Sequence, residues 1–513
     1  MIEAATPVAR SRRPIIAAST MLATLLYTVD MTIANVALPQ IQGGLQSTQD
    51  QVLWVLTSYI VASAIFTPLT GTLAARFGGR LVLLGSVSGF TLFSMLCGLA
   101  TSLPELVLFR VLQGICGAAL VPISQSVLLS VYSREDHGHA FSIWSMGVLV
   151  GPVLGPTLGG YLTDSFSWRW VFYVNVPVGA LAFIGIASSI PRDAGMRQQT
   201  PFDLFGYTLL AFGLGFLQLF ADRGSGEGWF ESLEILAEAG LAGVLLYMFV
   251  AHSLTARHPF FEPALFRDRN FVAAIGVMLL VGLMFVSSTA LVPTFLQKLQ
   301  GYPVITSGEL MVTRGLGMMV AMIAGGRLVR FVDPRILMAS AAVIMGVAMW
   351  PLAHISLDTT ARTIAVASFF QGAGLGLTFL PVNVAAFASL APHLRTEGTV
   401  FLTLARNLGS AIGVSIVGAL LTGLTAANQS RLVEFFSSLD GERWRIMENL
   451  FPGHAAEVTM NEISRQAAAI AFGNVFWIMM VATALLLPLI LLLGRPRAAE
   501  AKPAEPADLE QLT

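Results

Sequence analysis

The sequence predicts an all-α membrane protein of fourteen spanning helices, arranged as two six-helix bundles with two helices inserted between them. Three observations lead there. Of 513 residues only 12% are charged and 55% belong to the hydrophobic set, whereas soluble domains carry about 25% charge. Apolar runs of about 20 residues, the length that crosses a bilayer, recur along the chain. The segments between them alternate between arginine-rich and arginine-poor, as the bias of basic residues towards the cytoplasm requires.

A tail, residues 1–14, holds Arg10, Arg12 and Arg13. The run that follows is too long for a signal peptide and has no small-residue cleavage site, so it reads as a retained first span. Spans near 15–38, 52–73, 81–100, 105–131, 139–163 and 170–190 make a first bundle over 15–190. A linker, 191–268, holds two extra spans near 204–221 and 235–251. Spans near 271–297, 308–329, 336–354, 362–390, 398–425 and 467–494 make a second bundle over 269–494, and 495–513 is a second tail. An even number of spans puts both termini on one side. With that side cytoplasmic, eighteen of the 29 basic residues lie inside, eight lie outside, and Arg110, Arg314 and Arg406 fall in or near spans. Internal symmetry between the bundles is echoed by two glycine-rich basic inner loops, GTLAARFGGR at 71–80 and GGRLVRFVDPR at 325–335. The segment 426–466 is charged and lies outside, with Leu432, Phe435, Phe436 and Leu439 at helical spacing, which fits an amphipathic surface helix or a docking surface for a partner.

Several spans carry residues that a lipid environment penalises. Asp30 sits in the middle of the first span, in YTVDMTIANVALP, and an ionisable group at that depth marks a functional site. In the fourth span, FRVLQGICGA places Arg110, Gln113, Gly114 and Gly117 on one helix face, which can present a cation to the interior. In the fifth span Gly147, Gly151, Gly155 and Gly159 recur every four residues, a stripe that lets two backbones approach closely. Pro152 and Pro156 remove backbone donors from the same helix and are expected to bend it. Cys97 and Cys116 lie in apolar runs and read as small buried hydrophobes.

Together these segments resemble the major facilitator superfamily, and within it the fourteen-helix drug:proton antiporters of the EmrB/QacA type. DMTIANVALP resembles the first-helix signature, RVLQG the fourth-helix signature, and GVLVGPVLGPTLGG the antiporter signature, while WRWVFYVNVPVG at 168–179 resembles the next helix. WVLTSYIVASAIFTPLTG, PISQSVLL and LQLFADRGSGEGWF are most similar to the EmrB branch. One position departs: Ala75 precedes Arg76 where the wider family usually has an aspartate, so no acid is expected to gate that loop. The resemblance implies a major facilitator fold and proton-driven export of amphipathic or hydrophobic drugs by alternating access. It implies that Asp30 carries the coupling proton, that Arg110 tunes or relays it, and that cargo binds between the bundles. Asn35, Gln113, Gln125, Asn175, Gln371, Asn383 and Arg406 are candidate lining residues, with interhelical hydrogen bonding an equal account of each amide. A periplasmic membrane-fusion adaptor and an outer-membrane channel are implied partners, and the bacterial inner membrane is the implied location.

Other functions fit less well. ATP hydrolysis needs a phosphate-cradling loop ending in lysine, and the two lysines, Lys298 and Lys502, lie in no such context. Neither H-E-x-x-H nor G-x-S-x-G occurs, so a membrane-embedded enzyme is not expected. A net charge of −1 gives no footprint for nucleic acid. No cofactor is expected, the proton gradient serving as the energy source. A transporter of one specific metabolite, importing or exporting, stays open, because the fold fixes neither direction nor cargo.

Overall fold

The computed structural model describes residues 12–132, 136–191, 202–224, 232–329, 331–391, 394–437, 449 and 454–494. Most of both tails, most of the tip of the 426–466 segment including Leu439, and stretches 192–201 and 225–231 lie outside these residues. In chain order the helices are α1 (Arg13–Gly44), α2 (Gln49–Phe66), α3 (Leu69–Phe77), α4 (Gly79–Leu99), α5 (Leu103–Gly117), α6 (Leu120–Val131), α7 (His137–Ser165), α8 (Trp170–Tyr173) and α9 (Asn175–Ser189). The inserted pair is α10 (Leu204–Arg223) and α11 (Leu233–Thr255). The second half contains α12 (Arg269–Lys298), α13 (Val304–Leu328), α14 (Pro334–Ala353), α15 (Ala361–Ala388), α16 (Arg395–Ser437), α17 (Ala455–Ala484) and α18 (Leu486–Leu492).

Local chemistry sets many of the starts. Thr48, Ser102, Asp203, Asp268, Asp333 and Thr360 each accept a hydrogen bond from a backbone N–H of the turn that follows, supplying the acceptor that a helix's first turn lacks. At Gly78 the backbone takes φ +90°, turning the chain from α3 into α4, a region that suits glycine.

Four expected spans are broken helices. The second is cut at Thr67–Pro68, and its two pieces are bent by 55°. Pro68 has no N–H for the preceding turn, and the Thr67 hydroxyl donates to the Ser63 carbonyl at 2.6 Å beside the break. The fourth divides into α5 and α6 around Ala118–Ala119, the sixth into α8 and α9 at Val174, and the last into α17 and α18 at Leu485. The outer segment also differs from expectation. Residues 426–437 continue α16, and α17 begins at Ala455 rather than near 467. Hydropathy falls there while the helical backbone does not, so α16 reaches 43 residues. At about 1.5 Å per residue such a helix is about 64 Å long, twice the hydrocarbon thickness of about 30 Å.

Among the described residues ten helices are long and apolar enough to cross a membrane, and the bent pair α2–α3 makes an eleventh. The other three expected spans correspond to α7, α12 and α13. All are helices of 25 residues or more, and Glu309, Arg314 and Arg327 raise the polarity of α13.

The packing of the first half recurs in the second. α1 pairs with α7, α2 with α5, and α4 with α5 and α9; α12 pairs with α16, α13 with α15, and α14 with α15 and α17. The halves join chiefly through α7 against α13 and α6 against α16. The inserted α10 packs on both α2 and α16. Arg223 ties α10 to Glu234 and Glu238 of α11 at 2.5 and 3.3 Å, and at the opposite end His252 meets Asp203 at 2.9 Å.

Small residues permit the tightest pairings. A Cβ at Gly147, Gly151, Gly155 or Gly159 would strike Met21, Thr28, Thr32 or Ile33 of α1 respectively. In α12 and α16, Gly282 lies on the Arg406 carbonyl and Gly409 on the Leu279 carbonyl. α7 runs unbroken across positions 152 and 156; the side chains of Pro152 and Pro156 are outside the described residues. A methyl at Gly409 has only backbone to displace. Gly409→Ala should therefore cost about 1–3 kcal/mol, while Gly346→Ala, which meets nothing within 4 Å, should not destabilise. Thermal unfolding of the purified proteins in detergent tests this; equal midpoints would refute the packing account.

Candidate functional site

Asp30 and Arg110 are both 0% exposed and lie inside the first half, held there by six helices. α1 carries the carboxylate, and α5 delivers Arg110 one turn before Gln113. Arg110 Nη1 donates to Asp30 Oδ2 at 2.5 Å and to Gln113 Oε1 at 2.9 Å. Gln113 Nε2 and Asn175 Nδ2 donate to Asp30 Oδ1 at 3.0 and 2.9 Å. Both carboxylate oxygens thus have donors, which a charge removed from water requires.

A second layer orients these donors. Asn175, the first residue of α9, also donates to Ser94 Oγ of α4 at 3.0 Å, and Ser94 in turn donates to the Phe172 carbonyl of α8 at 2.9 Å. Arg110 Nε donates to the Val55 carbonyl of α2 at 2.9 Å. The guanidinium carbon lies 4.2 Å from the centre of the Tyr59 ring, within cation–π range. Cys97 is a buried free thiol whose sulfur is 3.6 Å from Gln113 Oε1.

Protonating Asp30 would remove the negative charge but leave the cation in place. Arg110 would then rest on Val55, Gln113 and the rings of Tyr59 and Phe172, and the tie from α1 to α5 would weaken. A single proton can in this way change how the helices of one half hold together.

The remaining expected residues divide. Gln125 donates to Asn383, joining α6 to α15, and Asn383 Nδ2 donates to the Phe379 carbonyl at 2.7 Å. Ser126 and Thr396 are 2.9 Å apart between α6 and α16. Phe141 stacks on Phe387, and Trp144 on Phe379, at centroid separations of 6.4 and 6.2 Å. These contacts close the halves together at the end where α6 and α15 finish and α7 and α16 begin. Gln125 and Asn383 therefore form a fastener between the halves. Gln371 is buried inside the second half, its Nε2 donating to Met349 Sδ of α14 at 3.7 Å and its Oε1 unpartnered. Arg406 donates to Asn407 at 3.2 Å and faces Tyr27 of α1 across the interface. Asn35 is exposed and apart from the Asp30 cluster. Thus Asp30, Arg110, Gln113 and Asn175 meet at one point inside a bundle, while Gln125, Asn383 and Arg406 lie at the junction of the two.

The sequence reading did not single out Ser94 or Tyr59. A serine among apolar residues and a tyrosine in a span carry no signal of their own; only proximity to Arg110 and Asn175 assigns them.

The ion pair generates a stability test. Arg110→Ala strands a buried carboxylate, a loss of about 3–5 kcal/mol. Asp30→Asn combined with Arg110→Gln leaves two neutral groups and should unfold at a higher temperature than Arg110→Ala. A double variant no more stable than Arg110→Ala would mean that the charges are not coupled.

The Major Facilitator Superfamily profile matches residues 20–414 of the chain. The chain is 32% identical to "Probable multidrug resistance protein EmrY" of Escherichia coli strain K12, covering 91% of this chain and 93% of that protein. It is 32% identical to "Multidrug export protein EmrB" of Haemophilus influenzae, covering 89% and 91%. It is 30% identical to "Fatty acid resistance protein FarB" of Neisseria gonorrhoeae, covering 93% and 95%. Among solved structures, the proton:xylose symporter XylE bound to 6-bromo-6-deoxy-D-glucose superposes with a TM-score of 0.58 at 14% identity, covering 94% of this chain and 99% of that one. That likeness establishes the fold.

Proposed function

Because the chain belongs to the major facilitator superfamily, and so is a multi-pass membrane transporter rather than an enzyme, we propose that it exports amphipathic and hydrophobic drugs in exchange for protons. The buried Asp30–Arg110 pair is the observation that carries this reading. The cargo class is supported by relatives whose names record multidrug export and resistance.

Asp30 is the coupling acid and Arg110 its counter-charge. A proton loaded on Asp30 from outside loosens the α1–α5 tie, and its release inside restores the pair. One proton moving through about 100 mV releases about 2.3 kcal/mol, which sustains about a fiftyfold cargo gradient. Cargo binds between the halves, near Arg406 and the Gln125–Asn383 fastener. The glycine stripe of α7 is the sliding surface on α1 during the exchange of access.

In this reading α7, α12 and α13 cross the membrane as well, giving fourteen spans in two six-helix bundles around the α10–α11 pair. The bacterial inner membrane holds the protein with both termini cytoplasmic. The closed end of the interface then faces the cytoplasm. The extensions of α16 and α17 stand in the periplasm, where a membrane-fusion adaptor leading to an outer-membrane channel can reach them.

Two experiments test this. In proteoliposomes under an imposed pH gradient, Asp30→Asn should abolish drug-induced proton release at matched expression, Asp30→Glu should keep part of it, and Arg110→Lys should keep more than Arg110→Ala. Undiminished coupling in Asp30→Asn would overturn the assignment. Cysteines introduced at Gln429 and at Arg257 should label from opposite sides of intact cells, Gln429 from outside; the reverse pattern would invert the topology.

A further inference from the structure

Tyr27 of α1 stands between the Asp30–Arg110 pair and the junction of the halves. It lies three residues before Asp30, on the same face of the helix, and is buried. On one side its ring meets the ring of Tyr59 of α2, with centroids 6.0 Å apart. Tyr59 in turn holds the Arg110 guanidinium over its ring at 4.2 Å. On the other side Tyr27 faces Arg406 and Asn407 of α16, which are themselves joined at 3.2 Å. Asp30, Arg110, Tyr59, Tyr27 and Arg406 thus form one row of contacts that begins inside the first half and ends in the second.

The two tyrosines contribute different atoms to the row. The Tyr27 hydroxyl bonds Ser63 Oγ, one turn after Tyr59 on α2, at 3.2 Å. The Tyr59 hydroxyl is buried with no hydrogen-bond partner, so Tyr59 acts through its ring alone. Around Asp30 the other charged and titratable groups are Arg110 from α5, Tyr59 from α2, Cys97 from α4 and Tyr27 from α1 itself. α9 brings the neutral Asn175, and α7 meets α1 there with Gly151 and Gly155. While Asp30 is ionised it cancels Arg110, and Arg406 carries the net charge of the row. A proton on Asp30 leaves two like cations joined by two rings, where little water screens them. Arg110 then leans more on the Tyr59 ring, whose quadrupole attracts a cation, and the tyrosines carry that displacement to Arg406 by contact.

We propose that Tyr27 and Tyr59 are the positioning residues that couple protonation of Asp30 to the side chain of Arg406, and so to cargo held between the halves. This rests on the export reading and adds the means by which its two sites communicate. The coupling has a sign. Protonation raises the positive charge felt beside Arg406, so a cationic cargo is held less tightly when Asp30 carries its proton, which is the state loaded from outside.

The test measures binding of tetraphenylphosphonium to the full chain in detergent between about pH 5 and about pH 9, with transport of the same cation in proteoliposomes. Wild type should bind it about tenfold more weakly at the acid end, and Asp30→Asn should show no such change. Tyr27→Phe, which loses the hydroxyl, and Tyr59→Leu, which loses the ring, should each shrink the change to about twofold or less. Tyr59→Phe keeps the ring and should retain it. Tyr27→Phe combined with Arg406→Gln should shrink it no further than either alone, as members of one path must. If Tyr59→Leu fails to fold, the contrast between Tyr27→Phe and Tyr59→Phe decides. A wild-type pH dependence in Tyr27→Phe overturns the proposal, since the two sites would then be coupled without Tyr27. Loss of the dependence in Tyr59→Phe overturns it as well, because the ring would not be the acting group. A wild-type protein that transports tetraphenylphosphonium but binds it equally at all pH values overturns this proposal alone; one that neither binds nor transports it overturns the export reading, and the proposal with it.

Discussion

A carboxylate wholly removed from water persists as a charge only where every lost solvent donor is replaced, and the first half of this protein is arranged around meeting that requirement at Asp30. Arg110 and Gln113 come from α5 and Asn175 from α9. Ser94 of α4 and Val55 of α2 fix the donors in turn. Each helix of the cluster is therefore tied to α1 through one side chain. Charge state and helix packing cannot vary independently at such a point, which is what distinguishes it from an ordinary hydrogen-bonded core.

The second half repeats the packing without repeating the chemistry. Its helices pair in the same pattern, and glycine again lets backbones touch, at Gly282 and Gly409 in place of the α7 stripe. Its interior cation, Arg314, is held by a carbonyl and a hydroxyl rather than by an acid. Among the described residues one half thus holds a buried ion pair and the other a buried cation without an acid.

Much of the fold was legible because hydropathy and helix length report the same thing in a bilayer. It misled where they part. In α16 the apolar run ends near residue 425 while the helix continues to Ser437, and in α2–α3 the run continues through a 55° bend. Asp30, Arg110 and the glycine stripe stood out in the sequence because lipid penalises a charge and tolerates a backbone contact. Helical spacing gave their faces but not their partners: Arg110 and Asp30 are 80 residues apart, and nothing in the spacing of Gly151 and Gly155 names Thr28 and Thr32. Tyr59 and Ser94 were silent because their roles exist only through neighbours brought from other helices. Arg314 was visible as a cation in a span, yet its lack of an acid is a property of the folded interior.

The unbroken length of α16 has a mechanical consequence. One end holds Thr396, which meets Ser126 where the halves close. The other runs on past Asn428 and Gln429, which bond to Ala467 and Ser464 of α17. Hydrogen-bonded helix transmits displacement along its axis without an intervening hinge loop. A displacement at the Ser126–Thr396 contact would therefore reach α17 along one continuous helix of 43 residues. The closed end of the interface and the paired ends of α16 and α17 are thus joined by a single continuous helix.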